Sequence, residues 1–395
     1  MKVMFVSIGS YGLLTPVLGA AAELVRRGHT PVVLTHRRGR DLVEQAGVQC
    51  VEATGEGSGL NIEGWWVPAQ IVPQFHLVQT AIASELADVV VADHFAIGAI
   101  MAARASGIPV AVLGPAAYIH PLAVIPDDTL SARIRAARYS KMVEGYSEAA
   151  TILGLQESES TDDDSPFLGD HYLLRSVPSF EAYADALPQR VRFVGACLYE
   201  TAPRDEAFAT WAEDNPQRRP IAFLQLDKLF DFGDPTGALL ALLEERALRV
   251  AAAVGPNLAR YQDRASPSLF LRDHLPQGQV LASARLAVTT GHPTAVLGAI
   301  CAGVPNLILD FGSGAPELLH CCVTAGNGLG LPGMKADAAS MALLLDRIFK
   351  DEHIHSNARR VQRAFAEVDS FATIADVLDE LFQTARSRAG ARATA

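Results

Sequence analysis

Short apolar runs alternate with amphipathic stretches along the whole chain. Val3 to Ile8 is an apolar run interrupted only by Ser7 that stops at a Gly9–Gly12 turn, the pattern of a strand buried on both faces. Thr15 and Pro16 then predict a helix start, with Pro at the first helical position. That helix puts Leu18, Ala21, Ala22 and Val25 on one side and closes at Gly28. Thr30 to Thr35 is the next strand, so the first ~35 residues form a β-α-β unit with parallel strands.

The same grammar continues. Further strands are predicted over Val48 to Ala53, Asp88 to Ala92, Pro109 to Gly114, His171 to Arg175 and Val191 to Val194. Helices are predicted over Asp41 to Ala46, Ala81 to Leu86, Ala96 to Ser106 and Ser131 to Gly154, and Thr54 to Pro73 reads as irregular. Gln156 to Ser165 is an acidic, solvated loop. Thr201 to Pro220 is polar with proline near both ends and reads as a linker. Beyond it, strands are predicted at Ile221 to Leu226, Arg249 to Val254, Leu269 to Leu271, Leu286 to Thr289 and Asn306 to Leu309. Helices follow at Thr236 to Arg246, Ala338 to Phe349 and Asn357 to Phe382.

This pattern predicts an α/β protein of two doubly wound, parallel-sheet (Rossmann-like) domains facing across a cleft. The expected boundaries are 1–200, a linker at 201–220, a second domain at 221–365, and a helix at 366–395 packing back on the first domain before a frayed tail.

Composition narrows the function. The 395 residues are too many for one core, and 49% hydrophobic with 19% charged residues is ample for two. A net charge of −11 argues against nucleic acid and anionic membranes as partners. The five cysteines have no metal-ligand spacing, which predicts reduced, buried thiols in a cytoplasmic protein with no metal and no resident cofactor. No apolar run is long enough for a signal peptide or a membrane span. The Gly328 to Gly333 text matches Gly-x-Gly-x-x-Gly but neither follows a predicted strand nor opens a predicted helix, so a dinucleotide enzyme is disfavoured, and no Gly-x-Ser-x-Gly sequence supports a serine hydrolase.

The stretch from Leu286 to Pro305 carries the clearest chemistry. A strand ends at Thr289, a turn of Thr290, Gly291, His292, Pro293 and Thr294 follows, and an apolar helix runs to Gly303. Backbone N–H groups and the helix dipole make such a turn an anion site. Asp93 and His94 stand just past the end of another strand, where an imidazole suits proton transfer near neutral pH.

Several local texts together resemble the family 1 glycosyltransferases of the GT-B fold, the macrolide and antibiotic type above all. They are the helix end from Ala22 to His29, the strand end from Val91 to Phe95, Val191 to Gly195, His274 to Gln277, Leu286 to Pro305, and Gly312 to Glu317. The resemblance covers nearly the whole chain. It implies a nucleotide-sugar donor in the second domain, an acceptor hydroxyl in the first, and sugar transfer with inversion. It also implies departures. The position of the family's catalytic His is Leu13, and Asp93 matches the carboxylate that orients that His. The first strand of the donor domain ends in Gln225 to Lys228 where the family has small residues. The ribose-holding Glu aligns with Gly298, the sugar-gripping pair with Gly314 and Ala315, and the base-stacking aromatic with His274.

The candidate catalytic residues are Asp93, His94 and His292. Donor-binding candidates are Lys228, His274, Gln277, Thr290, Gly291, Thr294, Ser313 and Glu317, and acceptor-binding candidates are Tyr11, Leu13, Trp65, Trp66 and His120. Each has a plainer reading: His94 packed under the tryptophans, His292 capping its turn, Lys228 paired with Asp227, Trp65 and Trp66 anchoring a loop. Two functions follow. One is a glycosyltransferase-like tailoring enzyme acting on a small, largely apolar or aromatic natural product, with a non-standard donor site. The other is a GT-B-fold protein that has lost nucleotide-sugar transfer and serves as a non-glycosyl enzyme or as an accessory of a true transferase. A homodimer or a partner enzyme is compatible with either.

Overall fold

The computed structural model describes residues 1–53, 58–119, 130–155, 165–226, 234–264, 266–311 and 315–393. The chain folds into two compact units. Met1–Pro178, Tyr183–Tyr199 and Val368–Ala395 form the first, and Ser179–Ala182 with Glu200–Glu367 form the second.

In the first unit the order is β1 (Lys2–Ser7), α1 (Tyr11–Arg26), β2 (Thr30–His36), α2 (Arg40–Gln45), β3 (Gln49–Ala53), α3 (Pro68–Glu85), β4 (Val89–Asp93), α4 (Ile97–Ala105), β5 (Val110–Gly114), α5 (Leu130–Leu153), β6 (His171–Leu174) and β7 (Val191–Phe193). The strands make one parallel sheet in the order β3-β2-β1-β4-β5-β6-β7. In β1, Met4 and Val6 join the apolar cluster on one face, and Val3 and Phe5 the cluster on the other. Burial on both faces is what the apolar run from Val3 to Val6 requires.

The second unit contains α6 (Glu206–Glu213), β8 (Ile221–Gln225), α7 (Thr236–Glu245), β9 (Arg249–Ala253), α8 (Leu258–Tyr261), β10 (Leu269–Arg272), α9 (Gln277–Leu281), β11 (Ala284–Thr289), α10 (Pro293–Cys301), β12 (Asn306–Asp310), α11 (Ala315–Ala325), β13 (Gly328–Pro332), α12 (Ala338–Lys350) and α13 (Glu352–Ala366). Its sheet is parallel in the order β10-β9-β8-β11-β12-β13. The last helix, α14 (Ser370–Ala393), returns to the first unit. There Ile374, Ala375 and Leu378 are fully buried in the cluster that holds Val3, Phe5 and Leu18.

Five local expectations change. The first helix starts at Tyr11, not at Thr15, and holds Pro16 inside it. The Thr15 hydroxyl donates to the Tyr11 carbonyl at 3.0 Å, so it bonds backward within the turn and caps nothing. The stretch read as irregular up to Pro73 is helical from Pro68, and α3 runs through Pro73. The final helical run is two helices, since the Asp369 carboxylate accepts the Ala372 N–H at 3.1 Å and starts a new one. Strand β13 was not expected, because its Gly-Leu-Gly-Leu-Pro text carries no β-branched residue. Residues 201–220 lie in the second unit and carry α6, whose Phe208 is buried.

Candidate functional site

In each sheet the connections reverse direction at one place, between β1 and β4 in the first unit and between β8 and β11 in the second. Ligands of such folds bind at the carboxyl ends of the strands beside that switch. Asp93 ends β4 beside the first switch, and the turn that begins at Thr289 follows β11 beside the second.

In the first unit Asp93 ends β4 and is 2% exposed. Its Oδ2 accepts the Ile8 N–H at 2.8 Å and its Oδ1 accepts the Phe95 N–H at 2.9 Å. The carboxylate therefore ties the end of β1 to the loop that enters α4. Burial pushes this carboxyl up to about 6, against hydrogen bonds that favour the charged form.

His94 is buried, with Nδ1 3.4 Å from the Leu113 carbonyl. A proton on Nδ1 suits that contact and makes Nε2 the basic nitrogen. The ring packs 4.1 Å from Phe95 and 4.4 Å from Tyr118, centroid to centroid. Trp65 completes this cluster at 4.7 Å from Phe95 and 5.8 Å from Tyr118. Trp65 is a core residue, whereas Trp66 is half-buried and sits edge-on to it at 5.6 Å. Helix α5 braces this wall. Arg135 Nη1 donates to the Ala116 and Ile119 carbonyls, and Arg138 Nη1 donates to the Ala117 carbonyl at 2.7 Å. The Arg138 guanidinium lies 4.9 Å over the Tyr118 ring.

Tyr11 opens α1, and Leu13 is half-buried against the same apolar cluster. The sequence pointed to Asp93, His94, Trp65 and Trp66, and the fold brings them together with Phe95. It did not point to Tyr118 or Arg138; neither has a local motif, and only the pairing of β4 with β5 and the packing of α5 bring them to the site.

In the second unit the turn after β11 has the expected strand–turn–helix form. Thr289 is fully buried, and its Oγ1 accepts the Gly291 N–H at 3.3 Å. Gly291 has φ +82°, a left-handed conformation that explains glycine at the bend. His292 is the N-cap residue of α10. Its carbonyl accepts the Ala295 and Val296 N–H groups, and its side chain makes no capping hydrogen bond to the helix. Thr290 is buried and Pro293 is the first helical residue. His274 is exposed, with its N–H on the Asp273 carboxylate at 2.8 Å. Glu317 is buried in the first turn of α11.

Gln277 is the first residue of α9. Its Nε2 donates to the Thr294 carbonyl at 3.0 Å and reaches the Ala295 carbonyl at 3.5 Å. The amide rests where Gly298 has no side chain: a Cβ on Gly298 would fall on Gln277 Nε2 and lie 2.6 Å from its Cδ. His120, Lys228 and Ser313 lie outside the described residues.

Cys197, Cys321 and Cys322 are buried, and Cys50 and Cys301 half-buried. Burial pushes the Cys197 thiol up to about 11 and the Cys322 thiol to about 12, so neither is a thiolate at neutral pH. Among the described residues no cluster of His, Cys, Asp and Glu has the arrangement of a metal site. No described helix is long and apolar enough to cross a membrane.

Known proteins resemble the chain over nearly its full length. The demethyllactenocin mycarosyltransferase of Streptomyces fradiae is 25% identical over 432 aligned positions, covering 97% of this chain and 87% of that protein. The structure of CalG4, the calicheamicin glycosyltransferase, superposes with a TM-score of 0.74 at 22% identity, covering 97% of this chain and 98% of the other. Glycosyltransferase VinC in complex with dTDP matches with a TM-score of 0.70 at 15% identity, over 98% and 100% of the two chains. No protein-family model matches the chain. The two parallel-sheet units are those of the GT-B glycosyltransferase fold.

Proposed function

We propose that this chain is a glycosyltransferase that moves a sugar from a nucleoside diphosphate donor to a hydroxyl of a small, largely apolar natural product, as a tailoring step in antibiotic biosynthesis. One observation carries the reading. The Thr289–Thr294 turn keeps the buried threonine, the left-handed Gly291 and the N-terminus of α10 that an anionic donor needs, in a chain similar to antibiotic glycosyltransferases along its length.

In this mechanism the donor diphosphate rests at the turn, with His292 and Thr290 beside it. The acceptor lies against Trp66 and the Tyr118 wall of the first unit. His94, with its Nδ1 proton directed at Leu113, takes the hydroxyl proton on Nε2. The acceptor oxygen bonds to the anomeric carbon as the bond from that carbon to the phosphate oxygen breaks, and the electron pair leaves with the nucleoside diphosphate. Configuration inverts in such a single displacement. Asp93 serves as a support, because both of its oxygens already hold backbone N–H groups. Leu13 accepts no proton, so the base sits elsewhere than in the family the sequence resembles.

Thermal shift and calorimetry with dTDP, UDP and other nucleoside diphosphates test the donor half. Stabilisation by at least one of them at sub-millimolar concentration is expected; no response at millimolar concentration sinks the reading.

A second reading rests on Leu13 and on the filled aromatic wall, where Trp65, Phe95 and Tyr118 are all core residues. In it the fold serves as a non-glycosyl enzyme or as an accessory of a true transferase. A protein that ignores every nucleotide but binds a second transferase or an apolar intermediate fits only this one.

A further inference from the structure

We infer that Gln277 and Gly298 are a matched pair that sets the geometry of the first turn of α10, so that Gln277 is a positioning residue for the donor anion. The inference rests on the donor reading above, and it assigns Gln277 a role through the helix.

The side chain of Gln277 spans from α9 to α10 across 17 residues of chain. Its amide orientation is determined by its surroundings. Two carbonyl oxygens, of Thr294 and Ala295, face one end of it. Only the NH2 end can donate to both, whereas the reverse orientation sets oxygen against oxygen. Those carbonyls belong to the second and third residues of α10. An N–H group held on them fixes the first turn against α9, and with it the backbone N–H groups that would meet an anion. Few residue types permit this arrangement at position 298. The amide nitrogen occupies the space of the missing Cβ, and Leu281 Cδ1 stands 3.3 Å from the same point. Even alanine at 298 displaces the amide. The motion is cheap for a flexible side chain, so the helix survives and the bond to Thr294 does not. Elsewhere α9 is held independently: the Gln279 amide exchanges two hydrogen bonds with the Asp205 backbone, at 2.8 and 3.0 Å. Loss of the Gln277 bond therefore frees the α10 turn without releasing α9.

A double-mutant cycle read by dTDP affinity and by Tm tests the pair. Gln277→Ala and Gly298→Ala are each expected to weaken dTDP binding about tenfold, and Gly298→Ala to add less than about twofold once Gln277 is already Ala. Gln277→Glu keeps the length but sets carboxylate oxygen against the two carbonyls, and should match Gln277→Ala. Independent losses that multiply to about a hundredfold overturn the pairing. So does wild-type affinity in Gln277→Glu, or a fall in Tm in Gly298→Ala with dTDP affinity unchanged. A wild-type protein that binds no nucleoside diphosphate overturns the donor reading, and this inference with it. Wild-type binding with uncoupled losses overturns this inference alone.

Discussion

The carboxylate of Asp93 accepts the amide N–H of Ile8 at 2.8 Å, so that the last residue of β4 holds the exit of β1. This bond is made in a site that excludes water, and the same burial pushes the Asp93 carboxyl up to about 6. A carboxyl raised above its unfolded value of about 4 binds its proton more tightly in the folded state. Its contribution to stability is therefore present at low pH and lost as pH rises through 6. Between pH 7.5 and pH 5 the wild type should gain about 1 kcal/mol relative to Asp93→Asn, which has no proton to take up. Chemical denaturation of both proteins at the two pH values checks this, and parallel pH profiles would count against it.

His94→Phe separates chemistry from packing. Phenylalanine keeps the contacts with Phe95 and Tyr118 but has no nitrogen to accept a proton. Transfer to the acceptor should fall by about 100-fold or more, the usual scale for a lost general base, while the thermal midpoint stays near the wild-type value. Full activity in His94→Phe would leave His292 as the base to examine by His292→Ala.

Arg138→Met removes a charge-assisted hydrogen bond to the Ala117 carbonyl and a cation over Tyr118, while keeping the apolar stem. A loss of about 1–2 kcal/mol is expected from the two together. Denaturant titration gives the stability. The Michaelis constant for the acceptor should rise and dTDP affinity should not, because the wall lies in the first unit and the turn in the second.

Asn306 and Asn327 are fully buried, and among the described residues neither side-chain amide has a hydrogen-bond partner. Replacing a buried amide that makes no bond with an apolar group of the same shape is neutral or stabilising. Asn306→Leu should leave the thermal midpoint unchanged or raise it. A fall equivalent to about 3 kcal/mol would mean the amide does bond in solution.

The sheets were legible because parallel strands buried on both faces leave continuous apolar runs, as in Val3 to Val6 and Val89 to Ala92. The strand–turn–helix at Thr289 was legible for the same reason, with Gly291 marking the bend. Helix starts were less so. Pro16 and Pro73 each read as a boundary, yet each lies inside a helix, because packing of α1 and α3 outweighs one lost N–H bond. Strand β13 escaped notice since pairing with β12, not side-chain preference, holds its glycines. Within the site, Asp93 and His94 stood out by their place at a strand end. Tyr118 and Arg138 did not, because their roles arise from α5 packing on the turn after β5, a contact between distant segments. Gln277 stood out by its motif, but its fit over Gly298 depends on how α9 lies against α10.

Helix α14 follows every other described element in the chain, yet it covers the core face built from β1 and α1 near the start of that order. During synthesis that face waits through the translation of about 340 further residues before Ile374, Ala375 and Leu378 close it. The second unit has all its strands by residue 332 and its last helix by 366, so it can complete its fold earlier. The amino-terminal half of this protein thus finishes last, and a nascent chain cut anywhere before α14 exposes the same apolar surface to chaperones and to other chains.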